Sequence, residues 1–375
     1  MDLILENPQI FDITITAVIS QWPKVLMVLL SFGLIYLGVA KKFEPLLLVP
    51  IGIGILLTNL FSGMGEEGGL FYLLKKQGLE TQLFPLLMFL GLGALTDFSA
   101  LIKRPVMAWL GAAAQVGIFS ALIIAVVLGF DLNEAGAIAI IGGADGPTAI
   151  YVSTRLADEA LWGPVAVSAY SYMALVPIIQ PPIMRLLTTS KERATKMEFP
   201  TEPVPLSLRL IFPLATVILT AIIAPQAVPL IGMLMFGNLL RESGVTDRLA
   251  SSAQNELINI VTILLGLTVG GTMTAEKFLD LQTLGIFAIG LFAFSIATAG
   301  GVLFGKLMYL LSGRTVNPLI GAAGVSAVPM SARVVHLVAQ KENPVNYLLM
   351  QAIGPNVAGV LGSAIAAGIL LRLIQ

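Results

Sequence analysis

The stretch Ile140-Ile141-Gly142-Gly143-Ala144-Asp145-Gly146-Pro147-Thr148-Ala149-Ile150-Tyr151 decides how this chain folds. Its apolar flanks would let it run as a membrane helix, yet glycines and a proline surround a carboxylate at its centre. Pro147 removes a backbone donor, and the glycines weaken the helix further. Broken backbone at membrane depth survives only where it is buried in protein or lines a water-filled cavity. A carboxylate there is costly and marks a functional position. Two roles for Asp145 stay open from the sequence. An Asp before a proline-started turn is a common helix cap. The same carboxylate beside unwound carbonyls, with the Thr148 hydroxyl nearby, makes a hard, oxygen-rich site suited to an alkali cation.

Composition places that stretch in a membrane. Hydrophobic residues make up 57% of 375 positions and charged residues only 11%, against roughly 25% charged in soluble domains. Mean hydropathy is +0.91. So little charge cannot coat a soluble surface of this size, and the apolar runs have helix length, so the chain reads as an all-α polytopic membrane protein. Lys+Arg of 21 against Asp+Glu of 22 leaves no basic excess and argues against nucleic acid as a partner. The absence of cysteine excludes disulfides, iron–sulfur clusters and thiol catalysis, and a single histidine, His336, makes zinc improbable. No phosphate-binding loop is present, so the chain does not hydrolyse ATP. Residues 1–23 carry Asp2, Glu6 and Asp12 before any basic residue, the reverse of a secretory n-region, and read as an extramembrane or interfacial segment.

Crossings are expected near 25–40, 45–61, 83–99, 105–130, 160–187, 206–224, 227–240, 256–275, 280–311 and 345–372. Two further segments, 133–157 and 316–337, are apolar but interrupted. Charge tests whether these two cross. If each dips in and returns, Lys41, Lys42, Lys103, Arg104, Arg185, Lys191, Arg193, Lys196, Arg209, Arg241 and Arg248 fall on or near one side, as do Lys306, Arg314 and Lys341. That side is cytoplasmic by the positive-inside rule. Full crossings would part Lys103 and Arg104 from the basic 189–205 segment. Re-entrance is therefore the better reading, with 189–205 as a cytoplasmic linker. Trp22, Trp109 and Trp162 fall near crossing ends, as aromatic belts require.

The chain also resembles itself. Pro50 to Asn59-Leu60 matches Pro229 to Asn238-Leu239 at an offset of 179. Leu90-Gly91-Leu92 matches Leu265-Gly266-Leu267, Ile141-Gly142 matches Ile320-Gly321, and Tyr170, Met173 and Pro177 match Tyr347, Met350 and Pro355. The expected architecture is an inverted repeat of residues 24–188 and 206–375. Each half carries about five transmembrane helices and one re-entrant broken helix, with the two tips meeting near the midplane as in secondary transporters.

Polar residues at those places are the other candidates. Asn317 and Ser326 offer neutral oxygens to a cation; alternatively Asn317 caps the turn at Pro318 and Ser326 is a small packing residue. Arg333 lies about two helical turns past Ser326, placed either to receive a carboxylate from the cytoplasm or to snorkel at the membrane edge. Tyr170, Tyr172 and Gln180 lie on the crossing after the first broken segment. Tyr172 can bond a cation ligand or relay a proton, or can simply pack. Asn356, in Gly354-Pro355-Asn356, faces the same cavity from the second half. Asn59 and Asn238 read as caps and His336 as a rim residue.

The run Ile140–Tyr151 resembles the hallmark of the beta subunit of sodium-pumping biotin-dependent decarboxylases, the family acting on oxaloacetate, methylmalonyl-CoA and glutaconyl-CoA. Tyr170 to Met184, Gly237 to Gly244, Asn317 to Arg333 and Gly354 to Gly359 agree with it, and the resemblance covers most of the chain from about residue 20. It implies an inner-membrane subunit that decarboxylates carboxybiotin and drives Na+ outward while consuming a proton. It also implies partners: a biotin carrier subunit, a carboxyltransferase alpha subunit, a small gamma or delta membrane subunit, and further copies of the chain. Carried over residue by residue, it makes Asp145 an essential sodium-site residue and points to Tyr172, Asn317, Ser326 and Arg333. Read together with the residues themselves, Asp145, Asn317, Ser326 and Asn356 are expected to hold Na+, Arg333 to meet carboxybiotin, and Asp145, Tyr172 and Arg333 to serve the chemistry. An ordinary Na+- or H+-coupled transporter of a small anion is the alternative.

Overall fold

The computed structural model describes residues 21–198, 202–278 and 281–375, and every regular element among them is helical. Most of the 1–23 segment lies outside the described residues. We number the main helices α1 (Trp22–Val39), α2 (Pro45–Leu60), α3 (Leu83–Leu95), α4 (Pro105–Val127), α5 (Leu132–Ala139), α6 (Gly146–Leu156) and α7 (Glu159–Leu187). After the linker follow α8 (Leu206–Ile223), α9 (Val228–Glu242), α10 (Asp247–Gly271), α11 (Leu281–Leu311), α12 (Met330–Glu342) and α13 (Leu349–Ile374). Seven described helices are long and apolar enough to cross a membrane, or eight if the bent pair Leu70–Leu79 and Leu83–Leu95 is one span. That 63° bend was not legible in the sequence. The helix is widened by a π-turn over Lys75–Leu79 and stops at Glu80-Thr81 before α3 begins after the left-handed Gln82. α2, of 16 residues, reaches only about 24 Å at 1.5 Å per residue.

Lipid tails are as apolar as leucine, so helices in a bilayer associate through close backbone approach over small residues. α2 packs on α10 and α3 on α9 in this way. A Cβ on Gly54 would stand 2.5 Å from the Leu267 carbonyl oxygen, and one on Gly93 would stand 1.9 Å from that of Leu234. Each contact ends in a buried asparagine. Asn59 donates to the Met273 carbonyl at 2.8 Å and accepts the Ala275 amide at 2.9 Å. Asn238 donates to the Thr96 carbonyl at 3.1 Å. Asn59 also bonds the Ile55 carbonyl in the last turn of its own helix at 2.8 Å, so the expected cap is at the same time an anchor onto a neighbour.

Both broken segments are hairpins. In the first, α5 runs in, a 3-10 turn over Ile140–Gly143 follows, and α6 returns. Its ends adjoin: a Cβ on Gly136 would lie 2.8 Å from Leu156 Cδ1. The second enters as the 3-10 helix Pro318–Gly324 and returns as α12. Asn317 before it and Asn346 after it donate to the same two carbonyls, those of Arg193 and Thr195. The hairpins touch tip to tip, where the Ser326 amide donates to the Gly143 carbonyl at 3.2 Å. Helices α4, α7, α11 and α13 enclose them.

Candidate cation site at the hairpin tips

Asp145 is carried to the tip contact by backbone geometry. Ala144 adopts φ 50°, the left-handed region, and Asp145 is extended, so the chain turns sharply before α6 starts at Gly146. One carboxylate oxygen caps α6 by accepting the Thr148 amide at 3.2 Å. The other accepts the Ser363 hydroxyl from α13 at 2.7 Å. Capping is therefore real but uses one oxygen only. The carboxylate is 4% exposed and forms no ion pair with a described Lys or Arg.

The polar atoms nearby are short of partners. The hydroxyls of Ser326 and Tyr170 are buried and make no hydrogen bond, and the Thr148 hydroxyl turns to the Asp145 carboxylate. Unpaired buried hydroxyls are costly. Around the lone carboxylate these oxygens are hard donors of the kind an alkali cation takes. No group of three or more His, Cys, Asp or Glu converges among the described residues. One negative charge with neutral oxygens suits a monovalent ion.

Helix α13 forms the platform. Asn356, Gly359 and Ser363, spaced by three and four residues, share a face. Asn356 donates to the Ala323 and Val325 carbonyls at 3.0 and 2.8 Å, which holds the second tip in place. Gly359 admits the Gly324 carbonyl so closely that a Cβ would be 2.3 Å from its oxygen. Gln115, in a break of α4, donates to the Gly111 carbonyl at 2.8 Å and to that of Gly359 at 3.4 Å, and its own amide oxygen is unpartnered.

The structure separates the candidates read from the sequence. Asp145, Ser326 and Asn356 converge. Asn317 does not: its amide is committed to the Arg193 and Thr195 carbonyls, and its oxygen accepts the Leu319 amide at 3.0 Å. The seven residues of 3-10 helix between it and the tip span about 14 Å at 2.0 Å per residue. Tyr172 also turns elsewhere, donating its hydroxyl to the Phe287 carbonyl and stacking on Phe294 with centroids 6.4 Å apart. Tyr170 is the tyrosine beside Asp145; its ring fills the space where a Cβ on Gly146 would be 1.9 Å from Cε1. Arg333 is exposed on α12, and His336 accepts the Leu348 amide at 3.3 Å while packing on Tyr347. Arg333 is within electrostatic reach of Glu44, in the loop between α1 and α2. Burial pushes the Glu44 carboxyl above its ordinary value, and the guanidinium pulls it part of the way back.

Ser363, Gln115 and Glu44 escaped the sequence reading. Only Ser363 left a signal there, its helical spacing from Asn356.

Fold and site define a polytopic membrane protein whose paired hairpins bury one carboxylate among neutral oxygens, the layout of an ion-translocating subunit. The family follows from comparison: residues 23–374 match the Na+-transporting oxaloacetate decarboxylase beta subunit, and the chain belongs to that family. It is 55% identical to a methylmalonyl-CoA decarboxylase subunit beta of Veillonella parvula, over 93% of each chain. It is 50% identical to the glutaconyl-CoA decarboxylase subunit beta of Acidaminococcus fermentans, over 97% of this chain and 98% of that one. It is 47% identical to an oxaloacetate decarboxylase beta chain 2 of Salmonella typhi, over 93% and 94%. The chain is accordingly a translocase-type decarboxylase subunit, as the resemblance in the sequence implied.

Proposed function

We propose that this subunit decarboxylates carboxybiotin presented by a carrier subunit and uses the step to move Na+ outward through a site centred on Asp145. One observation carries the assignment: Asp145 is buried at the tip contact without a basic partner, ringed by hydroxyl oxygens, of which those of Ser326 and Tyr170 have no hydrogen bond. Ser326, Thr148 and the amide oxygen of Asn356 complete the site. Asn317 serves it at a distance, by clamping the base of the second hairpin to the linker.

Carboxybiotin approaches from the cytoplasmic mouth, where the exposed guanidinium of Arg333 meets its carboxylate as a bidentate pair. Decarboxylation breaks the N–CO2 bond; CO2 leaves, and the ring nitrogen takes up one proton. Asp145 holds either a proton or Na+ and exchanges one for the other, so the proton reaching biotin is linked to the sodium leaving outward. The free hydroxyl of Tyr170, rather than the engaged one of Tyr172, stands where it can relay that proton. Exporting one charge against 100 mV costs about 2.3 kcal/mol, so a leak would dissipate the decarboxylation.

An inverted repeat of five helices and one re-entrant hairpin per half fits this scheme. It is supported by reciprocal contacts: α2 on α10 exchanges with α9 on α3 under the repeat, as Asn59 exchanges with Asn238. π-turns at Lys75–Leu79 and Ala253–Leu257 fall at matching positions. The carboxyltransferase alpha subunit, the small gamma or delta subunit, further copies of this chain and an inner-membrane location belong to the same proposal. The anion-symporter alternative has no support from the relatives, which are named decarboxylase subunits.

The test is Asp145→Asn in the purified complex. Sodium-dependent decarboxylation and ²²Na+ uptake into proteoliposomes should both fall to background. Sodium-dependent turnover that survives the substitution refutes the site.

A further inference from the structure

Ser363 is fully buried on α13. Its hydroxyl oxygen lies 2.7 Å from Asp145 Oδ2 and 3.0 Å from the carbonyl oxygen of Val360. A hydroxyl has one proton and can donate to one of these acceptors at a time. Rotation about the Cβ–Oγ bond moves the proton between them, with no displacement of a heavy atom.

The two positions suit two states of the site. A bare carboxylate in dry surroundings needs donors. Asp145 has the Thr148 amide and the Ser363 hydroxyl, with the Thr148 hydroxyl beside them. A cation arriving at the carboxylate repels a proton aimed at the same oxygen. The Val360 carbonyl then takes that proton, and the serine oxygen turns its lone pairs to the ion.

We propose that Ser363 is a reversible partner of Asp145, which donates to the carboxylate when the site is empty and becomes an oxygen ligand of the sodium when it is filled. This rests on the reading that Asp145 holds the transported Na+. Space is tight on the side of the first tip, since a Cβ on Gly143 would lie 3.3 Å from that of Ser363. A side chain with one oxygen and no added methyl fits the place.

The experiment uses the whole purified complex and follows decarboxylation and ²²Na+ uptake against sodium concentration, for wild type, Ser363→Ala, Ser363→Cys and Asp145→Asn. Cysteine keeps the number of atoms but replaces a small, hard oxygen by a larger, soft, weakly donating sulfur. Both Ser363 variants should raise half-saturating sodium by about tenfold, the loss of one hydrogen bond or ligand to a charged group. The maximal rate at saturating sodium should stay within about threefold, because the effect is on binding rather than on chemistry. Loss of the preference for Na+ over Li+ should accompany the shift; a merely structural serine would not produce it. If Ser363→Ala fails to assemble, Ser363→Cys carries the same expectation. Wild-type half-saturation and ion preference in a folded Ser363→Cys complex, with Asp145→Asn inactive, overturn the role of Ser363 alone. Sodium-dependent turnover in Asp145→Asn overturns the site itself, whatever the serine variants do.

Discussion

Asn59 and Asn238 sit where α2 meets α10 and α9 meets α3, and the amide of each reaches a neighbouring backbone carbonyl. Ser326, as deeply buried in the hairpin core, leaves its hydroxyl without a partner, and the hydroxyl of Thr148 turns to the lone Asp145 carboxylate rather than to a backbone group. Both regions bury polar side chains in a membrane-like interior, so the difference is one of purpose. Where polar atoms are satisfied by backbone they fasten helices together; at the proposed site they gather round a carboxylate. The comparison also divides the glycines. Gly54 and Gly93 let helices close up, whereas Gly146 makes room for Tyr170 beside the carboxylate.

The contrast is breakable by substitution. The largest effect is expected at Gly93→Ala, where the new Cβ would meet the Leu234 carbonyl oxygen at 1.9 Å with only backbone to yield. A loss of about 3 kcal/mol should appear as a lowered unfolding temperature and a poor yield of assembled complex. Any folded fraction should keep its sodium affinity. Asn59→Ala strips partners from the Met273 carbonyl and the Ala275 amide. It should cost about 1–3 kcal/mol of stability, again with unchanged half-saturating sodium. Thr148→Val removes a hydroxyl beside the Asp145 carboxylate at near-constant size. Unfolding should shift by no more than about 1.5 kcal/mol, while half-saturating sodium rises about tenfold. A destabilised Thr148→Val with normal sodium affinity would reverse the contrast.

Asn317→Ala sharpens it further. Its amide holds the linker to the base of the second hairpin, so the variant should lower the maximal rate and expose 189–198 to protease while leaving half-saturating sodium unchanged. The smallest effect concerns the same linker. Burial pushes the Glu192 carboxyl up, but the Thr189 amide and hydroxyl and the Lys306 ammonium outweigh it and hold it below its ordinary value of 4.5. A lowered folded value means that the contribution is present above 4.5 and is lost as pH falls through the folded value. Limited proteolysis should therefore find the linker more open in acid than at neutral pH, and Glu192→Gln should flatten that dependence.

Much of this was legible in the sequence because it follows from local backbone chemistry. Glycines and a proline around Asp145 disfavour a continuous helix whatever surrounds them, and a carboxylate in so apolar a run has few bland explanations. Counting basic residues by side favoured return over crossing, and the adjoining ends of both hairpins agree with that. Tertiary structure alone decided which oxygens meet. Ser363 reaches Asp145 across 218 positions, and Asn317 reaches Arg193 across 124. The free hydroxyl fell to Tyr170 and the engaged one to Tyr172, though the two stand two residues apart on one helix. Neighbours along the chain share a spacing that sequence displays; neighbours across a packed interface share only the space that close-packed helices leave them.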